Sequence, residues 1–378
     1  MQDPSLPRRK QQQENRDQFN IENIAVNITR QCNLRCRFCY NLEMLKRDAS
    51  NELSADEITS FLGKTKSCLS TNPTLALLGG EPLIDPDKLL CVAEYGLRHG
   101  FSALASINGT LVTDDFAKLA AQIKLQVQVS IDGHNAKIND KVRGKGVFDK
   151  IVHGIRVLVK NKVHTIMSLV CHQGNLKHLK DYYNLALSLG VNEARFIPLK
   201  LMNQATREEF KPVGIDDLLK QSYALFEKHP EYQELAGRDA FSIMANICRL
   251  SAQRQSCGSG LQTLLLDSDG SLYPCLNTNV SEFKFANIRD QGFDFTRFWR
   301  ESSILQKHRE QMSLDNTSCA NCLVRYWCLG GCRGENYVMT GRLANKAYNC
   351  KQMKKAIIEM FWVLTQQPAW VKIMDHVC

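Results

Sequence analysis

From residue 24 onward, short apolar runs alternate with longer stretches in which apolar residues recur every three or four positions. The runs Ile24–Thr29, Thr74–Leu78, Ser102–Ile107, Leu125–Ile131, Val163–Val170 and Glu193–Leu199 read as strands. The stretches near 54–68, 86–99, 113–122, 147–160 and 175–188 read as helices. Strands that alternate with helices predict parallel pairing, because a crossover helix returns the chain to the start of the next strand. The expected fold class is therefore α/β. Parallel sheets place their ligands beyond the carboxyl ends of the strands.

Past residue 200 the pattern changes. Residues 200–247 look helical, with LLKQSYALFEK as an amphipathic centre. Nine of the 15 cysteines then fall at or beyond Cys248, which marks a second unit. Within it, LQTLLLDSDGSLYPCL reads as a hairpin turning at Asp267–Gly270, since Asp and Gly tolerate left-handed conformations. The segment CKQMKKAIIEMFWVL reads as a helix packed on the first unit. The expected divisions are a disordered tail over 1–20, a β/α unit over 21–235 and a cysteine-rich unit over 236–378.

Composition narrows the chemistry. With 378 residues and 44% hydrophobic content the chain can build full cores. It has no run of eighteen apolar residues, so no membrane span is expected. The opening MQDPSLPRRKQQQENRDQFN lacks the apolar stretch of an export signal, which predicts a cytoplasmic chain with reduced cysteines. Metal or cluster ligation is then the leading use for so many thiols. The net charge is +9, but the basic residues are scattered and no aromatic residues interleave them, so nucleic acid is not an expected partner.

Cys32, Cys36 and Cys39 form a C-x3-C-x2-C array directly after the first strand. A buried helix stripe has the same spacing, but the position calls for a loop. Three thiolates suit a [4Fe–4S] cube, whose fourth iron they leave open for a small molecule. Zinc more often takes four protein ligands or includes His, and none lies in this loop. The array ends in an aromatic residue, Tyr40, and resembles the signature of the radical S-adenosylmethionine (SAM) superfamily. That resemblance implies a partial (β/α)6 TIM-like barrel. It also implies SAM chelated to the open iron and split by one electron, releasing a 5′-deoxyadenosyl radical that abstracts a hydrogen from substrate. In such enzymes the protein binds and orients while the cofactor carries the chemistry.

Further motifs agree with the resemblance. Gly79-Gly80-Glu81-Pro82 follows the second strand and looks like the family motif that holds the SAM amino group. Paired glycines permit close approach, and a carboxylate suits an ammonium. Ser106 and Asn108 end the third strand, and Ser130 and Asp132 end the fourth; they resemble positions lining the SAM pocket, with Arg143 as a partner for the SAM carboxylate. Ordinary strand-end turns are the alternative for these four, and a solvated arginine the alternative for Arg143. Histidines 134, 153, 164 and 172 have no ligand spacing.

The second unit carries Cys257, Cys275, Cys319, Cys322, Cys328, Cys332 and Cys350. A single zinc ribbon would leave three of these thiols unused. The arrangement is similar to the SPASM extension of radical SAM enzymes that modify peptides and proteins. The resemblance implies an outer auxiliary cluster on Cys319, Cys322, Cys328 and Cys350 and an inner one on Cys257, Cys275 and Cys332. With the first site this makes three [4Fe–4S] clusters. Several relatives have another cysteine shortly after the first SPASM cysteine, where this chain reads Gly258–Thr263. The fourth inner ligand is then Cys248, an Asp, or absent. Cys68, Cys91, Cys171 and Cys378 have no ligand spacing, and Cys91 and Cys171 are expected in the core. Arg325-Tyr326-Trp327 is expected to shield a cluster from water.

The function these resemblances imply is an oxidoreductase or lyase that modifies a ribosomally made precursor peptide by cross-linking or backbone excision. Sulfatase-maturase chemistry, forming formylglycine, is the runner-up. Those enzymes carry a basic Asp after the second SPASM cysteine, and here Leu276 stands there. A zinc-bearing scaffold or nucleic-acid-binding protein is the reading from another class. Many relatives grip the leader peptide with a winged-helix module of about 80–90 residues. Here the cluster loop begins by residue 32, so a separate small leader-binding protein is expected. A flavodoxin or ferredoxin is the expected electron donor.

Overall fold

The computed structural model describes residues 20–46, 48–202, 209–236 and 256–366. The expected tail up to residue 19, Cys248 and Cys378 lie outside the described residues. Six parallel strands pair in chain order: β1 Ile21–Asn27, β2 Leu69–Leu78, β3 Ser102–Ile107, β4 Gln126–Ser130, β5 Thr165–Cys171 and β6 Glu193–Pro198. All six match the expected runs to within a few residues except β2, which begins earlier.

Strands β1 and β5 are buried along nearly their whole length and read as near-continuous apolar runs, whereas β2, β3, β4 and β6 alternate buried apolar residues with half-buried ones that include Gln128, Ser106 and Ser130. Ile24, Val26, Leu75, Leu77, Ala105, Val127 and Val129 pack with Phe61, Leu89, Phe116, Ile155 and Tyr182 from the helix layer. The alternate residues Ala25, Ala76 and Leu78 join Leu265, Tyr273 and Leu276 in a separate cluster on the opposite face.

The connecting helices start where local chemistry satisfies their free N–H groups. Ser54 and Glu57 form a reciprocal capping box for Ala55–Thr65. Asp85 caps Pro86–Arg98, Thr113 caps Asp114–Gln122, and Asn135 caps Ala136–Arg143. Helices Val147–Lys160 and Leu179–Leu189 complete the layer. In Pro86–Arg98 the helical phase turns Leu89, Val92, Ala93 and Gly96 inward. Cys91 is consequently exposed, which corrects the expectation of a core position; Cys171 is buried as expected.

The second unit is built on the same sheet. Strand β7, Thr263–Leu266, pairs parallel with the free edge of β1, and β8 Ser271–Tyr273 and β9 Ala286–Asn287 follow antiparallel. The sheet therefore runs β6-β5-β4-β3-β2-β1-β7-β8-β9. The hairpin turns where expected, with Gly270 N–H donating to the Asp267 carbonyl at 2.9 Å. The turn also carries charge. Asp267, fully buried, accepts from Asn27 at 2.9 Å and pairs with Arg30 at 3.2 Å, while Asp269 meets Arg30 at 2.7 Å. Helix Cys350–Gln366 packs along Ile215–Lys228, with Lys355 on Asp216 at 2.9 Å. Among the described residues no helix is long and apolar enough to cross a membrane.

Candidate iron–sulfur and cofactor centre

The first cysteine loop leaves the carboxyl end of β1. Its entry is clamped from two sides. Arg30 is locked to the hairpin by Asp267 and Asp269, and its backbone N–H donates to Glu52 at 2.6 Å. From the other side, Gly80 N–H donates to the Thr29 carbonyl at 2.8 Å and Glu81 N–H to the Gln31 carbonyl at 2.7 Å. A Cβ on Gly80 would lie 2.1 Å from the Gln31 oxygen, and one on Gly79 would lie 2.4 Å from the Thr29 oxygen. The paired glycines are thus required by the cysteine loop itself, one backbone lying against another.

Glu81 is 1% exposed and ties two strand ends together. One carboxyl oxygen accepts from Leu83 N–H at 3.1 Å and the other from Asn108 N–H at 2.6 Å. Burial raises its pKa to about 7 against those two donors. Asn108 passes the connection on: its amide donates to Asn33 at 2.7 Å inside the cysteine loop, and its oxygen accepts from Thr110. Ser106 accepts from Gln128 at 3.3 Å, and Ser130 ends β4 beside Ser168.

Asp132 and Arg143 are each other's partners, at 2.7 Å, both within the interior. Asp132 also accepts from Val170 N–H at 2.9 Å. Burial opposes the Arg143 charge, but Asp132 and then the Cys36 sulfur outweigh it and raise the guanidinium pKa. This pair backs Cys36 and Cys39. Arg37 N–H donates to the Val142 carbonyl at 3.0 Å, which fastens the loop to the same helix end.

Cys32, Cys36 and Cys39 are half-buried and electrostatically coupled to one another. Burial raises all three pKa values, that of Cys39 to about 11. Such thiols ionise when a cation arrives, so the donor set fits a three-thiolate iron–sulfur group. Tyr40 is 45% exposed. The loop's buried aromatic is Phe38, which packs with Val142, Leu199, Leu201, Val170, Phe210 and Met339.

The seven distal cysteines divide into two sets. Cys319, Cys322, Cys328 and Cys350 line one hollow, with Val324, Arg325 and Lys354. Cys257, Cys275 and Cys332 line another cavity of about 220 Å³ at the end of β6. Burial raises the Cys275 and Cys328 thiols to about 11. The chain passes from one set to the other through Leu329, Gly330 and Gly331, all left-handed, with φ of 52°, 76° and 74°. A Cβ on Gly331 would sit 2.8 Å from Ala347, so the turn needs glycine there. Four donors around one hollow and three around the other fit two further iron–sulfur groups. Trp327 stacks edge-on against Phe361, on the apolar side of the outer set.

Other neighbours were invisible in the sequence because they are distant in the chain. Lys200, Glu335 and Tyr348 line the inner cavity with the three cysteines. His134, His178 and Asp181 bring one ligand atom each within 4.8 Å of the others. There, Asn135 already donates to His134 Nε2 at 2.7 Å, and His178 pairs with Asp181 at 3.4 Å.

A parallel β/α sheet with three thiols at the mouth of its first strand, and seven more in a unit built on its edge, defines an iron–sulfur protein that pairs a radical-generating barrel with an auxiliary-cluster domain. Residues 26–186 match the radical SAM superfamily, and residues 257–323 match the SPASM iron–sulfur cluster-binding domain. The chain belongs to the radical SAM enzymes that carry a SPASM domain. These domains imply SAM and [4Fe–4S] clusters.

Three comparisons outline its relatives. An AdoMet-dependent heme synthase of Methanosarcina barkeri is 29% identical over 84% of this chain and 93% of its own length. The mycofactocin maturase MftC of Mycobacterium tuberculosis is 28% identical over 83% of this chain and 78% of its own. The structure of native anSMEcpe with bound AdoMet superposes with a TM-score of 0.73 at 19% identity, covering 91% of this chain and 98% of that one.

Proposed function

We propose that this chain is a cytoplasmic peptide maturase that holds three [4Fe–4S] clusters and modifies a ribosomally made precursor peptide by cross-linking or backbone excision. The observation that carries this reading is the separation of the seven distal cysteines into a four-donor and a three-donor set beside the barrel. Similarity to a mycofactocin maturase over most of the chain supports a peptide substrate. When loaded, the Cys32–Cys36–Cys39 group supplies the electron that splits the carbon–sulfur bond of SAM. The chain's own residues prepare that site. The Asn33–Asn108 contact and the Arg143–Asp132 pair hold the loop in place, and Phe38 with Leu199 and Leu201 excludes water behind it. Ser106, Ser130 and the strand ends that Glu81 joins are proposed to line the SAM pocket. A separate leader-binding protein and a flavodoxin or ferredoxin belong to the same reading.

Similarity to AdoMet-dependent heme synthases favours a second reading, in which the substrate is a haem precursor. Formylglycine formation ranks lower, because Leu276 follows Cys275 and opens the short turn Leu276–Thr278. One experiment separates the readings. The anaerobically reconstituted chain is incubated with SAM, a reductant and either candidate precursor peptides from short reading frames adjacent to its gene or an iron porphyrin. Peptide-dependent 5′-deoxyadenosine with a mass loss in the peptide is the expected result. Turnover with the porphyrin and none with the peptide would replace the first reading by the second.

A further inference from the structure

The inner cysteine set carries an uneven electrostatic environment. Three cysteines face a cavity whose other walls include Lys200, Arg333, Glu335 and Tyr348. Lys200 is the second residue after β6, so the barrel, not the cysteine-rich unit, presents it. The Cys332 sulfur is its strongest electrostatic neighbour, followed among charged groups by Glu335, Cys275 and Cys257. Glu335 is itself fixed, accepting from Leu201 N–H at 2.8 Å and from the Tyr348 hydroxyl. Arg333, at 1% exposure, spends its Nη1 on the Leu343 and Asn345 carbonyls. It braces the loop around the cavity. Lys200, by contrast, lines the cavity as a solvent-exposed residue, and among the described residues its side chain makes no such bond to a backbone carbonyl.

We propose that Lys200 is the counter-charge of the inner cysteine set, raising the reduction potential of the iron–sulfur group held by Cys257, Cys275 and Cys332. The physical reason is general. One-electron reduction adds a negative charge to the cluster, and a cation on the same cavity wall stabilises the more negative state. Glu335 moderates that charge and anchors the segment carrying it, since Leu201 is the next residue along. The arrangement couples the end of β6 to the potential of a group on the other unit. It rests on the reading that the three cysteines hold a cluster.

The test is an EPR-monitored redox titration of the full, anaerobically reconstituted chain, with dithionite supplying the electron. Lys200→Met should lower the reduced-to-oxidised ratio of one cluster signal at least tenfold at the wild-type midpoint. For a one-electron couple, tenfold is a shift of about 59 mV. Lys200→Arg should restore the ratio to within about twofold, because it keeps the charge. An unchanged ratio in Lys200→Met, with iron content intact, overturns the role of Lys200. A Cys257/Cys275/Cys332→Ser variant that loses no iron overturns the underlying cluster assignment instead.

Discussion

Replacing Gly80 by alanine should disable the first iron site through the backbone alone. The added Cβ would fall 2.1 Å from the Gln31 oxygen and 2.6 Å from the Arg30 oxygen. Neither oxygen belongs to a mobile side chain, so the two segments must part by about 1 Å to restore ordinary contact. That movement breaks the Gly80–Thr29 and Glu81–Gln31 hydrogen bonds. Two lost bonds at about 1 kcal/mol each and overpacking at about 1–3 kcal/mol give a cost of roughly 3–5 kcal/mol. Gly100→Ala is the matched control. Gly100 has φ of +86° and open space around its missing Cβ, so only left-handed strain is added. That strain costs about 1–2 kcal/mol. Urea unfolding of the metal-free chains measures both costs, and iron retained after anaerobic reconstitution reads the site. Gly80→Ala should lose about twice as much stability as the control, or more, together with the first cluster. If it costs no more than Gly100→Ala and keeps all its iron, the close-approach argument is refuted.

Two other expectations follow from the same contacts. Asp267→Ala leaves the buried Arg30 with Asp269 as its remaining carboxylate partner beside the Asp48 carbonyl, and should cost about 3 kcal/mol in urea unfolding, the lower end for a broken buried pair; a loss below about 0.5 kcal/mol, the level of an ordinary surface change, would remove the clamp from the account. In the metal-free chain the Glu81 carboxyl ionises near pH 7 when folded, against an ordinary value of 4.5. Between those values the folded chain keeps a proton that the unfolded chain releases, so this group's contribution to stability falls as pH rises. Glu81→Gln should remove that slope, and a pH profile parallel to wild type would contradict the burial assigned to Glu81.

What the sequence could show depended on how local the cause was. The six strands were legible from their buried apolar positions, continuous in β1 and β5 and alternating in β4, and the hairpin because Asp267–Gly270 carries its own turn chemistry. Helix Ala136–Arg143 escaped notice. It is short and polar, and its Arg143 is buried through a charge pair with Asp132, which no apolar period reports. The cysteine motifs were legible from spacing and their division into sets from the family resemblance, but their surroundings were not. Lys200 and Cys332 meet only because β6 ends beside the distal unit. The same limit applies to Arg30, whose partners lie on a hairpin more than two hundred residues away. The Gly79–Gly80 pair read as a place of close approach to a cofactor; what lies against it in the structure is the chain's own backbone at Thr29, Arg30 and Gln31.

The most direct test is iron and acid-labile sulfide analysis of the anaerobically reconstituted chain beside three variants. Each variant replaces one set by serine: Cys32/Cys36/Cys39, Cys257/Cys275/Cys332, or Cys319/Cys322/Cys328/Cys350. The account predicts roughly twelve irons per wild-type chain and a loss of about four in each variant. Stoichiometric zinc in place of iron, or an iron content indifferent to which set is removed, would contradict it.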